Sequence, residues 1–278
     1  MELRLGLIGY PIKHSLSPWI HKRFMQQTNI EGTYRIEEVL PDEFEQQITR
    51  IIHSYDGFNV TVPYKQKIIS YLDELDENAA KIGSVNTVIN VEGRLIGYNT
   101  DGIGYVRSLE SSFPEIMEKK KSKILIIGAG GAARGIYVAL NQCGFQFIDI
   151  ANRTKEKAEA IAKLRKKPTT TEVIGLKQAE EHIGNYPLIV QTTSVGMLPN
   201  QDMVPIQLHH LPKKVNVSDI IYQPFWTKFL KEANDKGANI HHGHTMLLYQ
   251  AQYAFEIWTG IRPSLGNMNR ELKLLLEG

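Results

Sequence analysis

Apolar residues along this chain follow two alternating rhythms. Short runs such as 3–9 and 124–127 read as strands, and between them lie stretches with apolar positions three or four apart, which read as helices. In the first third, strands are predicted over 3–9, 34–39, 57–62, 85–90 and 94–98. Glu92-Gly93 joins the last two as a hairpin. Pro18 suits the first turn of a helix, with Ser15 or Ser17 as its cap candidate. Asp42 and Glu43 open another, in which Phe44, Ile48 and Ile51/Ile52 recur at helical spacing, and Pro63 limits the strand before it.

A new unit begins after the lysines at 119–121. Residues 124–127 are wholly apolar, as expected of a strand with helices on both faces of its sheet. Strands near 147–151, 188–191 and 215–221 follow, interleaved with helical stretches such as 155–166. Two more helices are predicted over 245–259 and 267–275. Alternation of this kind gives α/β layers with mainly parallel sheets, and 278 residues exceed one compact domain. The predicted fold is therefore two α/β domains with a cleft between them.

Composition narrows the partners. A net charge of +2 is too small to imply a polyanion, and the Lys119–Lys121 run with Lys123 reads as a solvated linker. The one cysteine, Cys143, excludes an intramolecular disulfide framework and a thiolate metal cluster, and its helical, apolar setting makes it core filler. The first residues lack the apolar run of a signal peptide, and nothing approaches the roughly 20 apolar residues of a membrane helix. A cytoplasmic protein without nucleic-acid or membrane partners, monomeric or homodimeric, is expected.

Residues 124–134 run from strand through a glycine-rich turn into a helix. Gly128 allows the tight turn, Gly130 lets backbone approach a pyrophosphate, and the small residues Gly131, Ala132 and Ala133 let helix and sheet pack closely. Backbone N–H groups and the helix dipole then form an anion site. An NAD site of this kind carries an acid at the tip of the next strand to bond the ribose 2′-hydroxyl. Here the strand ends Ala151-Asn152-Arg153-Thr154-Lys155, and Asp149 lies inside it. Arg153 can grip a 2′-phosphate, with Lys155 or Lys157 adding charge, which favours NADP; Thr154 also serves as a helix cap. The stretch 191–197, with Thr192, Ser194 and Met197, follows another apolar strand, where ligands bind in open α/β sheets.

Three polar stretches precede residue 105: 14–18, 59–65, and Asn86-Thr87 with 99–102. A ligand with several hydroxyls and a carboxylate demands such a set of donors and acceptors. These stretches carry Ser-x-Ser-Pro at 15–18, Asn-Val-Thr-Val-Pro-x-Lys at 59–65, Gly-x-Val-Asn-Thr at 83–87 and Gly-x-Asn-Thr-Asp-Gly at 97–102. Further on stand Gly-Ala-Gly-Gly-Ala at 128–132, Asn-Arg-Thr at 152–154, Asp-Ile-Ile-Tyr at 219–222 and Met-Leu-x-x-Gln at 246–250. In this order they resemble the shikimate dehydrogenase family over nearly the whole chain.

The resemblance implies NADPH-dependent reduction of 3-dehydroshikimate to shikimate, a step of aromatic amino acid biosynthesis. It implies Lys65 and Asp101 as the catalytic pair, and Ser15, Ser17, Thr61, Asn86, Tyr222 and Gln250 with them as the substrate cradle. NADP would meet Gly128, Ala129, Gly130, Gly131, Ala132, Asn152, Arg153, Thr154, Lys157, Thr192, Ser194, Met197, Ile220 and Gly243. The substrate domain would comprise 1–103 with 239–278, whose final helices pack back onto it, and the NADP domain 104–238. Thr245 stands where members often have a second glycine, which restricts backbone approach to the nicotinamide. The histidines at 241, 242 and 244 lack a further ligand at metal-site spacing, so no metal is expected. The rivals are a quinate/shikimate enzyme using NAD or both cofactors, a methylene-tetrahydrofolate type of dehydrogenase, and a non-catalytic ligand sensor on the same fold.

Overall fold

The computed structural model describes residues 2–278. The chain forms two compact units: one runs to Asp101 and includes Gln250–Gly266, the other is Gly102–Tyr249 with Asn267–Gly278.

The first unit contains β1 (Leu3–Gly9), α1 (Ser17–Thr28), β2 (Gly32–Glu38), α2 (Phe44–Ile52), β3 (Gly57–Val60), β4 (Glu74–Leu75), α3 (Glu77–Ile82), β5 (Thr87–Val91) and β6 (Arg94–Tyr98). Its sheet runs β2-β1-β3-β5-β6-β4, parallel across β2-β1-β3 and β6-β4, antiparallel across β3-β5-β6. The hairpin turn is as predicted, with Glu92 at φ 53° and Gly93 at φ 89°, both in the left-handed region such a turn requires. Phe44 stacks on Tyr64 at 4.2 Å within a core that includes Ile8, Phe58 and Val60. The serine cap is corrected: the residue before α1 is Leu16, no side chain caps the helix, and Ser17 is already helical.

Backbone bonds fix the turn after β3. Val60 N–H donates to Asn86 O at 2.9 Å and Val85 N–H to Lys65 O at 2.7 Å. The turn bearing Lys65 is thereby strapped to the segment bearing Asn86, which is what holds two chemistry-bearing residues twenty-one positions apart in one place.

The second unit contains α4 (Asp101–Ser112, beginning one residue earlier), α5 (Pro114–Glu118), β7 (Lys123–Ile127), α6 (Gly131–Gln142), β8 (Phe147–Ala151), α7 (Lys155–Ala162), β9 (Val173–Ile174), α8 (Leu176–Glu181), β10 (Leu188–Gln191), β11 (Asn216–Asp219), α9 (Lys228–Asp235) and β12 (Asn239–His242). All six strands are parallel in the order β12-β11-β10-β7-β8-β9. Winding reverses between β7 and β10, the position where doubly wound sheets bind ligands at their carboxyl ends.

Helices α10 (Gly243–Thr259) and α11 (Met268–Glu277) end the chain. The last forty residues divide differently from the expected 239–278 block. β12 completes the parallel sheet by pairing with β11, the first turns of α10 stay with it, and α11 belongs to the second unit. α11 buries Met268 and Leu272 and sets Lys273 over the Phe225 ring. Only Gln250–Gly266 joins the first unit, where Trp258 Nε1–H donates to Val88 O at 2.8 Å. A Cβ on Gly57 would lie 2.4 Å from the Trp258 ring, so the glycine at the start of β3 makes that docking possible.

Candidate active site

In the first unit, Lys65 Nζ lies 2.5 Å from Asp101 Oδ2, with side chains 15% and 6% exposed. That burial leaves little water to screen the pair. Asn86 organises it. Its Nδ2 donates to Asp101 Oδ1 and Thr100 Oγ1, both at 2.9 Å, and lies 3.3 Å from Gln250 Oε1. Its Oδ1 accepts from Thr100 N–H at 2.8 Å and from the Thr87 hydroxyl at 3.0 Å. Four of the expected site residues, Lys65, Asn86, Asp101 and Gln250, therefore form one network.

The remaining expected residues stand elsewhere. Ser15 and Ser17 meet each other, Oγ to Oγ at 3.2 Å, where α1 begins. Thr61 follows β3, its N–H bonded to Ile8 O and its methyl against Gly9. Tyr222 lies in the second unit, after β11.

Sequence reasoning missed the layer beneath Asn86. Asn59 Nδ2 donates to Asn86 O and Thr87 Oγ1, both at 3.1 Å, and Asn59 Oδ1 accepts from the Tyr34 hydroxyl at 2.7 Å. The Tyr34 ring stacks on buried His21 at 4.5 Å. Asn59 had a signal in the stretch 59–65; Tyr34 and His21 had none, because Tyr34 comes there only through the pairing of β2 and β3 with β1 on either side.

In the second unit, the turn after β7 is shaped by its neighbours. Gly128 has φ +113°, and a Cβ there would lie 2.6 Å from Thr192 Oγ1. The Thr192 hydroxyl donates to Ile127 O at 2.7 Å, tying the turn after β10 to the end of β7. Gly130, just before α6, has no atom within 4 Å of where its Cβ would be, and no side chain caps α6. No side chain competes for the first N–H groups of the helix, a setting that suits a bound phosphate.

Inside β8, Asp149 is engaged within the protein through both carboxylate oxygens. Its carboxylate accepts from Tyr186 Oη at 2.9 Å and Glu172 N–H at 3.0 Å, and Lys123 Nζ lies 2.7 Å away. Arg153 and Lys157 are exposed, and Asn152 Nδ2 donates to Thr154 O at 2.7 Å. Thr154 precedes α7 without a side-chain cap bond, which corrects its reading as a hydroxyl cap. After β10, Gln191 holds the loop: Oε1 accepts from Thr193 N–H at 2.6 Å, and Nε2 donates to Thr193 O and Val195 O at 3.1 Å. Ser194 and Met197 are left exposed on it.

After β11, buried Asp219 accepts from Ile221 N–H at 2.9 Å and the Thr227 hydroxyl at 2.8 Å. Burial outweighs those two bonds and pushes its pKa up to about 7. Gly243 packs so closely that a Cβ would lie 2.2 Å from Ile220 O. Two of the histidines nearby have local partners: His241 Nδ1 with Ser218 Oγ at 2.8 Å, and His242 Nδ1 with Phe225 O at 3.0 Å. Among the described residues no group of three or more His, Cys, Asp or Glu side chains could hold a metal ion.

Three family profiles match in succession: a shikimate dehydrogenase substrate binding domain over residues 7–88, shikimate / quinate 5-dehydrogenase over 110–222, and a shikimate 5′-dehydrogenase C-terminal domain over 243–273. A shikimate dehydrogenase (NADP(+)) of Oceanobacillus iheyensis is 49% identical, with all of both chains covered. A crystal structure of shikimate dehydrogenase in complex with NADP+ superposes at TM-score 0.88 with 37% identity, covering 99% of this chain and 96% of that one. The Thermus thermophilus shikimate 5-dehydrogenase in complex with NADP(H) and shikimate gives TM-score 0.85 and 33% identity, covering 99% of each chain. With full-length identity near one half and profiles matching along most of its length, this chain belongs to the shikimate dehydrogenase family.

Proposed function

We propose that this protein is an NADP-dependent shikimate dehydrogenase, reversibly reducing 3-dehydroshikimate to shikimate in the pathway to aromatic amino acids. The observation that carries this reading is the shielded Lys65–Asp101 pair, held by Asn86 and joined by Gln250. The first unit is the substrate domain, with Ser15, Ser17, Thr61, Asn86 and Gln250 as its hydroxyl and amide groups.

Ketone reduction sends the C–O π pair onto oxygen as hydride reaches carbon, and that oxygen must take a proton. Lys65 donates it from Nζ, while Asp101 Oδ2 orients the ammonium and stabilises its charge. In the reverse direction the same pair takes the proton back from the hydroxyl. Asn86 keeps Asp101 from rotating away, since it bonds the carboxylate oxygen that Lys65 does not.

NADPH, when bound, supplies the hydride. The open Gly130 edge and uncapped α6 fit its pyrophosphate, within a turn of Gly128, Ala129, Gly130, Gly131 and Ala132. Exposed Arg153, with Asn152, Thr154 and Lys157, fits the 2′-phosphate, and buried Asp149 offers no acid to a 2′-hydroxyl. Thr192, Ser194 and Met197 border the strand end beside it, and Ile220 with Gly243 frames the nicotinamide end. The substrate and cofactor are cytosolic metabolites, so the reading carries a cytoplasmic location; among the described residues no helix is long and apolar enough to cross a membrane.

The test is to supply shikimate and quinate, each with NADP and with NAD, and follow reduced nicotinamide by absorbance. Shikimate with NADP is expected to give the highest kcat/KM. No turnover with that pair by folded protein overturns the reading, and equal rates with quinate or NAD select the broader quinate/shikimate alternative.

A further inference from the structure

Three polar residues line up across one face of the first sheet. On β1, Leu5 is paired with Tyr34 of β2 and Leu7 with Asn59 of β3, so Tyr34 and Asn59 point to the same side. Asn59 in turn lies opposite Thr87 of β5. The row ends beside Asn86, which holds the Asp101 carboxylate. Asn59 and Thr87 are 5% and 0% exposed, so their polar atoms depend on one another rather than on water.

Backbone groups fix which way these hydrogen bonds run. The Asn86 carbonyl only accepts, so the Asn59 atom 3.1 Å from it is Nδ2, and Asn59 Oδ1 accepts from the Tyr34 hydroxyl at 2.7 Å. The Thr100 N–H only donates, so the Asn86 atom 2.8 Å from it is Oδ1, and Asn86 Nδ2 donates to Asp101 Oδ1 at 2.9 Å. The Thr87 hydroxyl accepts from Asn59 Nδ2 at 3.1 Å. Its own proton then goes to Asn86 Oδ1 at 3.0 Å rather than to Thr100 Oγ1 at 3.4 Å. Donation therefore passes one way, from Tyr34 through Asn59, Thr87 and Asn86 to the Asp101 carboxylate. His21 also faces Asn59, and Oδ1 has a second lone pair for it, so the Tyr34 bond is not displaced.

We propose that Tyr34 is a positioning residue for the Lys65–Asp101 pair: it is the first donor of this run and fixes the Asn59 amide against which Thr87 and Asn86 are set. For its effect on turnover the proposal rests on the dehydrogenase reading above. Hydrogen bonds aligned head to tail polarise one another, so Asn86 Nδ2 holds Asp101 Oδ1 more firmly than it would alone, while Oδ2 stays on Lys65. The Tyr34 ring is seated independently of its hydroxyl, stacked on buried His21 at 4.5 Å with the planes 7° apart.

The test is Tyr34→Phe, which keeps the stacked ring and removes only the hydroxyl. The kcat for shikimate oxidation is expected to fall about five- to tenfold, the size of one lost buried hydrogen bond. The Asn86 side-chain amide, followed in 1H–15N spectra, is expected to exchange its protons with water faster. Action in series is checked with Thr87→Val, which cuts the run further along: the double variant is expected to be little slower than the slower single variant. A packing role for Tyr34, independent of the run, would instead multiply the two losses. Wild-type kcat in Tyr34→Phe, or losses that multiply, overturns the proposal. Should Thr87→Val fail to fold, the Asn86 amide in Tyr34→Phe decides, and unchanged exchange there is equally decisive against it. Because amide exchange is read without turnover, failure of the wild-type protein to oxidise shikimate counts against the dehydrogenase reading alone.

Discussion

Lys65 and Asp101 share one short contact, 2.5 Å from Nζ to Oδ2, while the other Asp101 oxygen is held by Asn86 Nδ2 at 2.9 Å. The carboxylate therefore has one oxygen for orientation and one for the ammonium. Removing any member changes the geometry of the other two.

Lys65→Ala is expected to lower kcat by about 10²–10⁴-fold, the usual contribution of a positioned proton donor, with little change in shikimate affinity. Steady-state kinetics together with equilibrium binding separate the two effects. A variant with normal kcat would remove Lys65 from proton transfer.

Arg153→Ala is expected to weaken NADPH about 10- to 100-fold, as loss of a charge-assisted phosphate contact does, and to leave NADH nearly untouched. Titrating both reduced cofactors against the variant checks this. Equal losses would show that Arg153 does not read the 2′-phosphate.

The two glycines of the β7–α6 turn are expected to part company. Gly128→Ala puts a Cβ 2.6 Å from Thr192 Oγ1 at φ +113°, so a stability loss of about 1–3 kcal/mol is expected. Gly130→Ala meets no protein atom within 4 Å, so its thermal midpoint should stay at the wild-type value while NADPH affinity falls. Wild-type NADPH affinity in Gly130→Ala would place the pyrophosphate elsewhere.

Stability is expected to fall on mild acidification. Burial pushes the His21 and His241 pKa values down from 6.5 to about 3, opposed for His21 by Asn59. The unfolded chain binds those protons first, so the stabilisation present above pH 6.5 is lost as pH falls toward 3, at about 1.4 kcal/mol per pH unit for each ring. Asp219, raised from 3.8 to about 7, has the opposite sign and offsets one of them. Urea midpoints at pH 7 and pH 5 should therefore drop, and His21→Phe should flatten the dependence. A midpoint independent of pH would mean that these rings are protonated in the folded state.

Much of the architecture was legible because local chemistry dictates it. The run 124–127 reads as a strand covered on both faces and lies in β7, and β8, β10 and β6 have the predicted bounds 147–151, 188–191 and 94–98. Strand ends were overrun where backbone bonding continues past the last regular strand residue, as in 57–62: β3 ends at Val60, while Thr61 N–H still donates to Ile8 O and Val62 O accepts from Tyr10 N–H. Caps were misplaced at Ser15/Ser17 and Thr154 because a hydroxyl in the right neighbourhood says nothing about its rotamer.

By itself the sequence determined the residue types available: a glycine turn after a buried strand, an arginine instead of an acid after the next, and a lysine and an aspartate thirty-six positions apart. Only the tertiary structure decided which of them meet. Strand pairing strapped Lys65 to the Asn86 segment and brought Tyr34 beneath Asn59, while one helix carried Gln250 to Asn86 across 164 residues of chain. It also put β12 and α11 in the second unit and turned the Thr245 hydroxyl toward His241. The physical reason is the same in each case: local preference acts over a few residues, whereas hydrogen-bond matching and burial act between whatever segments the sheets bring together.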